Sequence, residues 1–307
     1  MSADGMVIAR TGPDDMEDLS VFMAQQGQQR CSADYLRHWY FGRPGQSASV
    51  IVGRVDGRIV GMATTTDHVF TNGVGDRLVG MPQKVLTDAS LRGRGIFGRL
   101  YRAAEEACRA RGCRRFLTIT NAASTPIFLG SFGYARLPVP RLAVLPALPG
   151  TMAPDAPQGP LPGIPVIDDG RWRMRKDAQH MRWRYTEHPG SDHFTLRVPG
   201  IGGEAGRVTL KRMRKAGLPV CVLLDLVPSS PGAWPDLLRA ARHAAWRHRT
   251  VAVLVLEGSW PAAWFDHAPW LSRSSGLNWL VKGEDEEDTR SLLQEVHLPA
   301  FGDLDFL

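Results

Sequence analysis

The chain has 307 residues, of which 43% are hydrophobic and 22% charged, with a formal charge of +6 and a pI near 9.4. That length predicts two domains in an ordinary globular composition, and no apolar run reaches the ~18 residues of a membrane-spanning helix. Met1–Arg10 lacks the basic-then-apolar order of a secretory leader, and Cys31, Cys108, Cys113 and Cys221 have neither CxxC nor metal-ligand spacing, which predicts a cytoplasmic protein with reduced thiols and no metal.

In chain order, Val7–Arg10 reads as a strand. Asp14–Gln25 reads as a helix with Met16, Leu19 and Met23 on one face, and Asp34–Phe41 as a helix capped by Ser32. Val50–Val55 and Arg58–Ala63 flank Asp56-Gly57, a strong hairpin signal. Leu78–Asp88 reads as a strand, Phe97–Arg111 as a helix closed by Gly112, and Phe116–Thr120 as a strand. Proline density at 138–170 predicts a linker, with a short strand near Arg141–Leu145, between domains at 1–137 and 171–307. Beyond it, Lys176–His188 reads as helix up to Pro189. His193–Val198, Arg207–Lys211, Val220–Leu226 and Val251–Leu256 read as strands, and Trp234–Arg247 as a helix. Tyr35-Leu-Arg-His-Trp-Tyr and Met181-Arg-Trp-Arg-Tyr each precede a proline and then a strand, which reads as an internal duplication.

The chemistry concentrates at Gln83–Leu100, where a strand runs into Arg92-Gly-Arg-Gly-Ile-Phe-Gly98 and then directly into an amphipathic helix. The first backbone N–H groups of a helix have no partner inside it, and its dipole favours negative charge at that end. Gly93 and Gly95 let backbone approach a diphosphate, and Arg92, Arg94 and Arg99 add positive charge. A dinucleotide turn would need an acidic residue about 20 residues on; Arg114-Arg115 stands there instead.

This segment resembles the acyl-CoA signature of the GNAT superfamily, Arg/Gln-x-x-Gly-x-Gly/Ala, through Arg92, Gly95 and, at the usual small-residue position, Phe97 followed by Gly98. The resemblance runs from residue 7 to 137 and includes Asp56-Gly57-Arg58 upstream and Asn121 and Phe132-Gly133-Tyr134 downstream. It implies an α/β fold, with a mixed, mostly antiparallel sheet and flanking helices. The chain is then two GNAT-like halves, the second degenerate because Pro228–Pro235 replaces the glycine turn. By the same resemblance, Val85, Leu86, Thr87, Arg92–Gly98 and Asn121 bind acetyl-CoA or another acyl-CoA, with backbone amides of the strand polarising the thioester. The hydroxyl that often protonates the departing thiolate is missing at Ile127-Phe128-Leu129, and Tyr134 stands at a core position.

For the base, Asp67, His68 and Asp88 are the first candidates, with Asp76 and His38 behind them. His38, Gln83, Asp303 and Asp305 are candidates for holding the acceptor, although the last two read equally as a solvated tail. The expected activity is acyl transfer from CoA to a primary amine of a small polar molecule such as an amino sugar or natural-product intermediate. Residues 171–250 hold thirteen Arg and three Lys against six acidic residues, a balance of +10. That charge suits RNA and leaves open an aminoacyl-tRNA donor, as in Fem-type tandem transferases, or a non-catalytic CoA- or RNA-binding module.

Overall fold

The computed structural model describes residues 5–28, 31–45, 47–150, 162–164, 170–190, 192–200, 203–230, 232–260 and 271–304. The first half runs β1 (Val7–Arg10), α1 (Met16–Gln25), α2 (Ala33–Phe41), β2 (Ala48–Val55), β3 (Arg58–Thr71), β4 (Asp76–Thr87), α3 (Ile96–Arg109), β5 (Arg115–Thr120), α4 (Thr125–Ser131) and β6 (Ala135–Arg136). The β2–β3 turn has Asp56 at φ 48° and Gly57 at φ 78°, the left-handed pair a tight hairpin needs. Ser32 caps α2 by accepting from the Tyr35 N–H.

The chain continues through β7 (Arg141–Pro146), β8 (Arg173–Met174), α5 (Ala178–Met181), β9 (His193–Gly200), β10 (Gly203–Lys215), β11 (Leu218–Pro228), α6 (Trp234–Arg247), β12 (Ala252–Leu256), β13 (Leu271–Ser274), β14 (Asn278–Lys282) and α7 (Glu286–Glu295). Lys176–His188 is not one helix. After α5 the backbone widens into a π-turn at Arg182–Thr186 that buries Trp183, Arg184 and Tyr185 together.

Two sheets result. One has the order β1-β2-β3-β4-β5-β14-β6, with β8 beside β3; the other is β13-β7-β12-β11-β10-β9. The expected division at 138–170 is therefore not a division of the sheets. β7, read as part of a linker, lies between β12 and β13, and β14, from the far half, lies between β5 and β6. Each half supplies the strand that closes the other's sheet. The principal core is shared accordingly: Phe70, Val79 and Met81 pack in one cluster with Trp279, Val222, Leu224 and Phe301. Among the described residues, no helix is long and apolar enough to cross a membrane.

Candidate active site

β4 and β5 are parallel neighbours, yet they pair only at Val79↔Arg115 and Gly80↔Phe116. Pro82, which has no N–H to offer a neighbour, stands where the strands part. Thr118 spans the opening, its hydroxyl donating to the Pro82 carbonyl at 2.8 Å. One turn of sequence later β4 bulges: the register against β3 slips between Ala63↔Val85 and Thr65↔Pro82. Thr64 Oγ1 holds the bulge, accepting from the Lys84 N–H at 3.1 Å and donating to the Lys84 carbonyl at 3.3 Å.

The separated strands enclose a cleft of about 280 Å³. Val85, Leu86, Phe97, Phe128, Asn121 and Ser124 line one part of it; Gln28, Gln83 and Lys84 line another. Of the residues expected at the site, Gln83, Val85, Leu86, Phe97 and Asn121 come together here. Lys84, Thr118, Ser124 and Gln28 escaped the sequence reading. Gln83 and Lys84 stand at the bulge, which has no side-chain signature in the sequence.

The glycine turn sits at the head of this cleft. Gly93 and Gly95 have φ of 78° and 73°, which a residue with a Cβ adopts only with strain. Gly95 occupies the N-cap of α3 with no side-chain cap, so the first helical N–H groups remain for a ligand. Ile96 and Leu100 anchor the helix on β3, where a Cβ at Gly61 would lie 2.7 Å from Leu100. Arg92, Arg94 and Arg99 are exposed around the turn. Thr87 pairs with Gly61 on β3 and does not line the cleft.

The acid–base candidates lie elsewhere. Asp67 is buried and accepts from Arg111 Nη2 at 2.6 Å and from the Cys108 thiol at 3.1 Å. It therefore secures the far end of α3, on the order of 20 Å along the helix from the glycine turn. His68 is fully buried; Arg43 Nη1 lies 2.6 Å from its Nε2 and Thr66 Oγ1 lies 2.9 Å from the same atom. Burial, and then Arg43, push its pKa well below the ordinary value. Asp88 caps the short turn Ala89–Leu91 by accepting from the Ser90 N–H at 2.9 Å, and that bonding to Ser90 lowers its pKa. Asp76 pairs with Arg175. His38 stacks on Trp183, and its Nε2 lies 3.1 Å from the Trp183 carbonyl. Asp303 is not a solvated tail residue. It is buried and does hold an ammonium, that of Lys176 at 2.7 Å, which Asp225 also contacts at 2.6 Å. Burial alone would lower the Lys176 pKa, but the two carboxylates outweigh it and hold it above the ordinary value. Asp305 lies outside the described residues. Tyr134 is in the core, as read: its hydroxyl lies 2.6 Å from that of Tyr101, and burial drives its pKa well up.

The second half repeats the strand arrangement. β11 and β12 pair in parallel only at Cys221↔Val253 and Val222↔Leu254. The stretch of β11 beyond is covered by Phe301–Leu304, so closely that a Cβ at Gly302 would overlap the Tyr185 hydroxyl.

Residues 14–134 match the model of the Acetyltransferase (GNAT) family. Over those residues the chain resembles a GNAT acetyltransferase domain. The whole chain resembles a probable N-acyltransferase from Enterococcus faecalis, with a TM-score of 0.64 at 9% identity over 94% of this chain and 75% of that one. It also resembles a GCN5-related N-acetyltransferase from Anabaena variabilis, with a TM-score of 0.64 at 10% identity over 91% and 73%. A tandem GNAT protein from the clavulanic acid biosynthesis pathway gives a TM-score of 0.53 at 14% identity over 91% of this chain and 99% of that one. At these identities the likeness is one of fold, two GNAT-like halves in series. No curated protein matches the sequence.

Proposed function

We propose that this chain transfers an acetyl group from acetyl-CoA to a primary amine of a small polar molecule, such as an amino sugar or a natural-product intermediate, in the cytoplasm. The observation that carries this reading is the early separation of β4 from β5 directly beneath an uncapped, glycine-led helix. The diphosphate would lie on the N–H groups of that turn with Arg92 and Arg94 beside it. The pantetheine would run along Val85–Leu86 between Phe97 and Phe128, with β4 amides facing the thioester oxygen.

The amine nitrogen attacks the thioester carbon, the C–N bond forms, and the C–S bond breaks. Among the described residues, no Asp, Glu or His lines the cleft. The proton of the attacking amine goes to solvent, and the CoA thiolate is the leaving group.

Calorimetric titration with acetyl-CoA tests the donor site. Micromolar binding by the wild-type chain, weakened at least 100-fold in an Arg94→Glu, Gly95→Glu variant, is the expected result. No binding by the folded wild-type chain sinks the reading and brings aminoacyl-tRNA forward.

A further inference from the structure

We infer that the end of the molecule where α6 stops and β11 begins is a docking surface for an anionic phospholipid bilayer. The inference stands apart from the donor site, because none of the residues it uses lines the cleft.

The core beneath α6 gives way to charge at this end. Leu210 packs in one cluster with Ala241 and Ala244 of α6, and the next two residues on that face of β10 are Arg212 and Arg214, both exposed. Beyond them the chain turns through Ala216-Gly217, with Lys215 and Leu218 paired across the hairpin. Residues 214–218 are exposed without interruption, so the hairpin tip projects. α6 ends on Trp246 and Arg247, and Arg249 follows at φ 54°. Glycine is the usual residue just past a helix end, so an arginine stands there against backbone strain. Three backbone bonds gather these segments. The Val251 N–H donates to the Pro219 carbonyl at 2.9 Å, the Ala147 N–H to the Val251 carbonyl at 3.0 Å, and the Leu148 N–H to the Arg242 carbonyl at 3.3 Å. Burial, then the charges of Arg212 and Arg247, lower the His248 pKa, so the arginines of the hairpin and of the helix share one surface.

Two properties meet here. Leu148, Leu218, Trp246 and Val251 are 44%, 55%, 54% and 50% exposed, and Trp246 is the one exposed Trp, Tyr or Phe among the described residues. Residues 207–224 and 237–256 contain nine Arg and Lys and no Asp or Glu. Three of the nine, Arg207, Lys211 and Arg239, pair with Glu204, Asp192 and Asp236. Among the described residues, Arg212, Arg214, Lys215, Arg247 and Arg249 have no acidic partner. A shallow depression of about 450 Å³ is bordered by Trp246, Arg247, Arg249 and Thr250.

The combination identifies the occupant. A nucleic acid would meet the charges and could stack on Trp246, but it offers nothing to Leu148, Leu218 and Val251. A second copy of this chain would bring the same positive charge against it. An anionic bilayer answers both properties. Its phosphates meet the basic side chains, its acyl boundary takes the aliphatic ones, and an indole settles at the level between. A projecting tip suits a surface that yields, and the depression beside Arg247 and Arg249 gives a headgroup phosphate a seat.

The test sediments the full chain with vesicles of phosphatidylcholine alone and of equimolar phosphatidylcholine and phosphatidylglycerol. Binding to the anionic vesicles is expected to exceed that to the neutral ones at least tenfold, and to fall as salt rises. Arg247→Ser combined with Arg249→Gly should weaken it at least tenfold, and Trp246→Ser combined with Leu218→Ser at least fivefold, each with the wild-type melting temperature. Vesicles with brominated acyl chains should quench the tryptophan fluorescence of the wild-type chain, and that quenching should be largely lost in Trp246→Phe. If a double variant melts early, the lipid preference and the quenching still decide. No binding to anionic vesicles, equal binding to neutral ones, binding that survives either double variant with its fold intact, or quenching unchanged in Trp246→Phe would each overturn the inference. Binding of unfractionated transfer RNA without binding of vesicles would overturn it in favour of an RNA surface.

Discussion

Trp39 of the first half and Trp183 of the second lie with ring centroids 5.3 Å apart, and both are essentially fully buried. They come from the two segments whose sequences look alike, and they meet across the junction with their ring planes tilted by 43°. His38 and Trp183 exchange further contacts: Trp183 Nε1 donates to the His38 carbonyl at 3.1 Å while the two rings stack. Arg43 sits over Trp183 at 4.5 Å from the ring centroid. Through Trp39, this junction also holds Gln83 at the cleft.

Trp39→Phe keeps an aromatic ring but removes the N–H together with the rest of the pyrrole ring. Gln83 is then released to rotate. A stability loss of about 2–3 kcal/mol is expected from the lost hydrogen bond and the gap left in the core, with a larger effect on the KM of the amine than on that of acetyl-CoA. Steady-state kinetics varying each substrate in turn reads this directly; equal effects on the two would refute the coupling.

Lys176 bridges Asp225 and Asp303 at the base of the junction, and the three side chains are all buried. Removing its ammonium leaves two carboxylates out of water and uncompensated. Lys176→Met should cost about 3–5 kcal/mol of stability in urea unfolding. Because its folded pKa is raised, the stabilisation is fully present below the unfolded lysine value of about 10.4 and fades as pH rises through the folded one.

His180 sits beside this bridge, buried, edge-on to Trp183 and 3.9 Å from Asp303 at the closest nitrogen–oxygen approach. Burial, then Arg43, Lys176 and Arg184, hold its pKa well below the ordinary value, as they do for His68 with Arg43, and His188 is pushed down to about 3. A depressed histidine pKa means that the unfolded chain takes up the proton first. Stability is therefore full above about pH 6.5 and falls as pH drops below it, by about 1.4 kcal/mol per unit for each histidine that stays neutral. Melting temperatures between pH 7.5 and 4.5 should show that slope, and His180→Leu should flatten it by one histidine's share. A pH-independent melting temperature would contradict this placement.

Tyr134 offers a control on the chemistry. Its hydroxyl is committed to Tyr101 inside the core. Tyr134→Phe should retain kcat within about threefold and lose roughly 1 kcal/mol of stability. A fall in kcat of a hundredfold or more, with the acetyl-CoA affinity intact, would make it the acid after all.

The glycine turn and the helix after it were legible because they are made of local sequence. Gly93 and Gly95 announce a left-handed turn, and Phe97–Arg111 announces the helix that follows, so strand, turn and helix could be read in order. Asp67, His68 and Asp303 misled for a common reason. A carboxylate or imidazole in the sequence looks the same whether it faces a cleft or a buried partner, and the partners here, Arg111, Arg43 and Lys176, are 44, 25 and 127 residues away. Pairing over such separations leaves no periodic trace. The exchange of β7 and β14 was hidden likewise. Arg141–Leu145 was readable as a strand, but its sheet was not, since a strand's sequence says which residues are buried and not which neighbour buries them.

That exchange imposes an order on the making of the protein. β5 and β6 leave the ribosome early, yet the strand that joins them, Asn278–Lys282, follows roughly 140 residues behind β6. At the usual pace of synthesis of about 5–20 residues per second, the gap between them stays open for on the order of ten seconds. The edges of β5 and β6 are bare throughout that interval, so the nascent chain is exposed to mispairing in just the sheet that carries the cleft. A chaperone that shields strand edges on the ribosome would be expected to raise the yield of this enzyme more than one that acts on the finished chain.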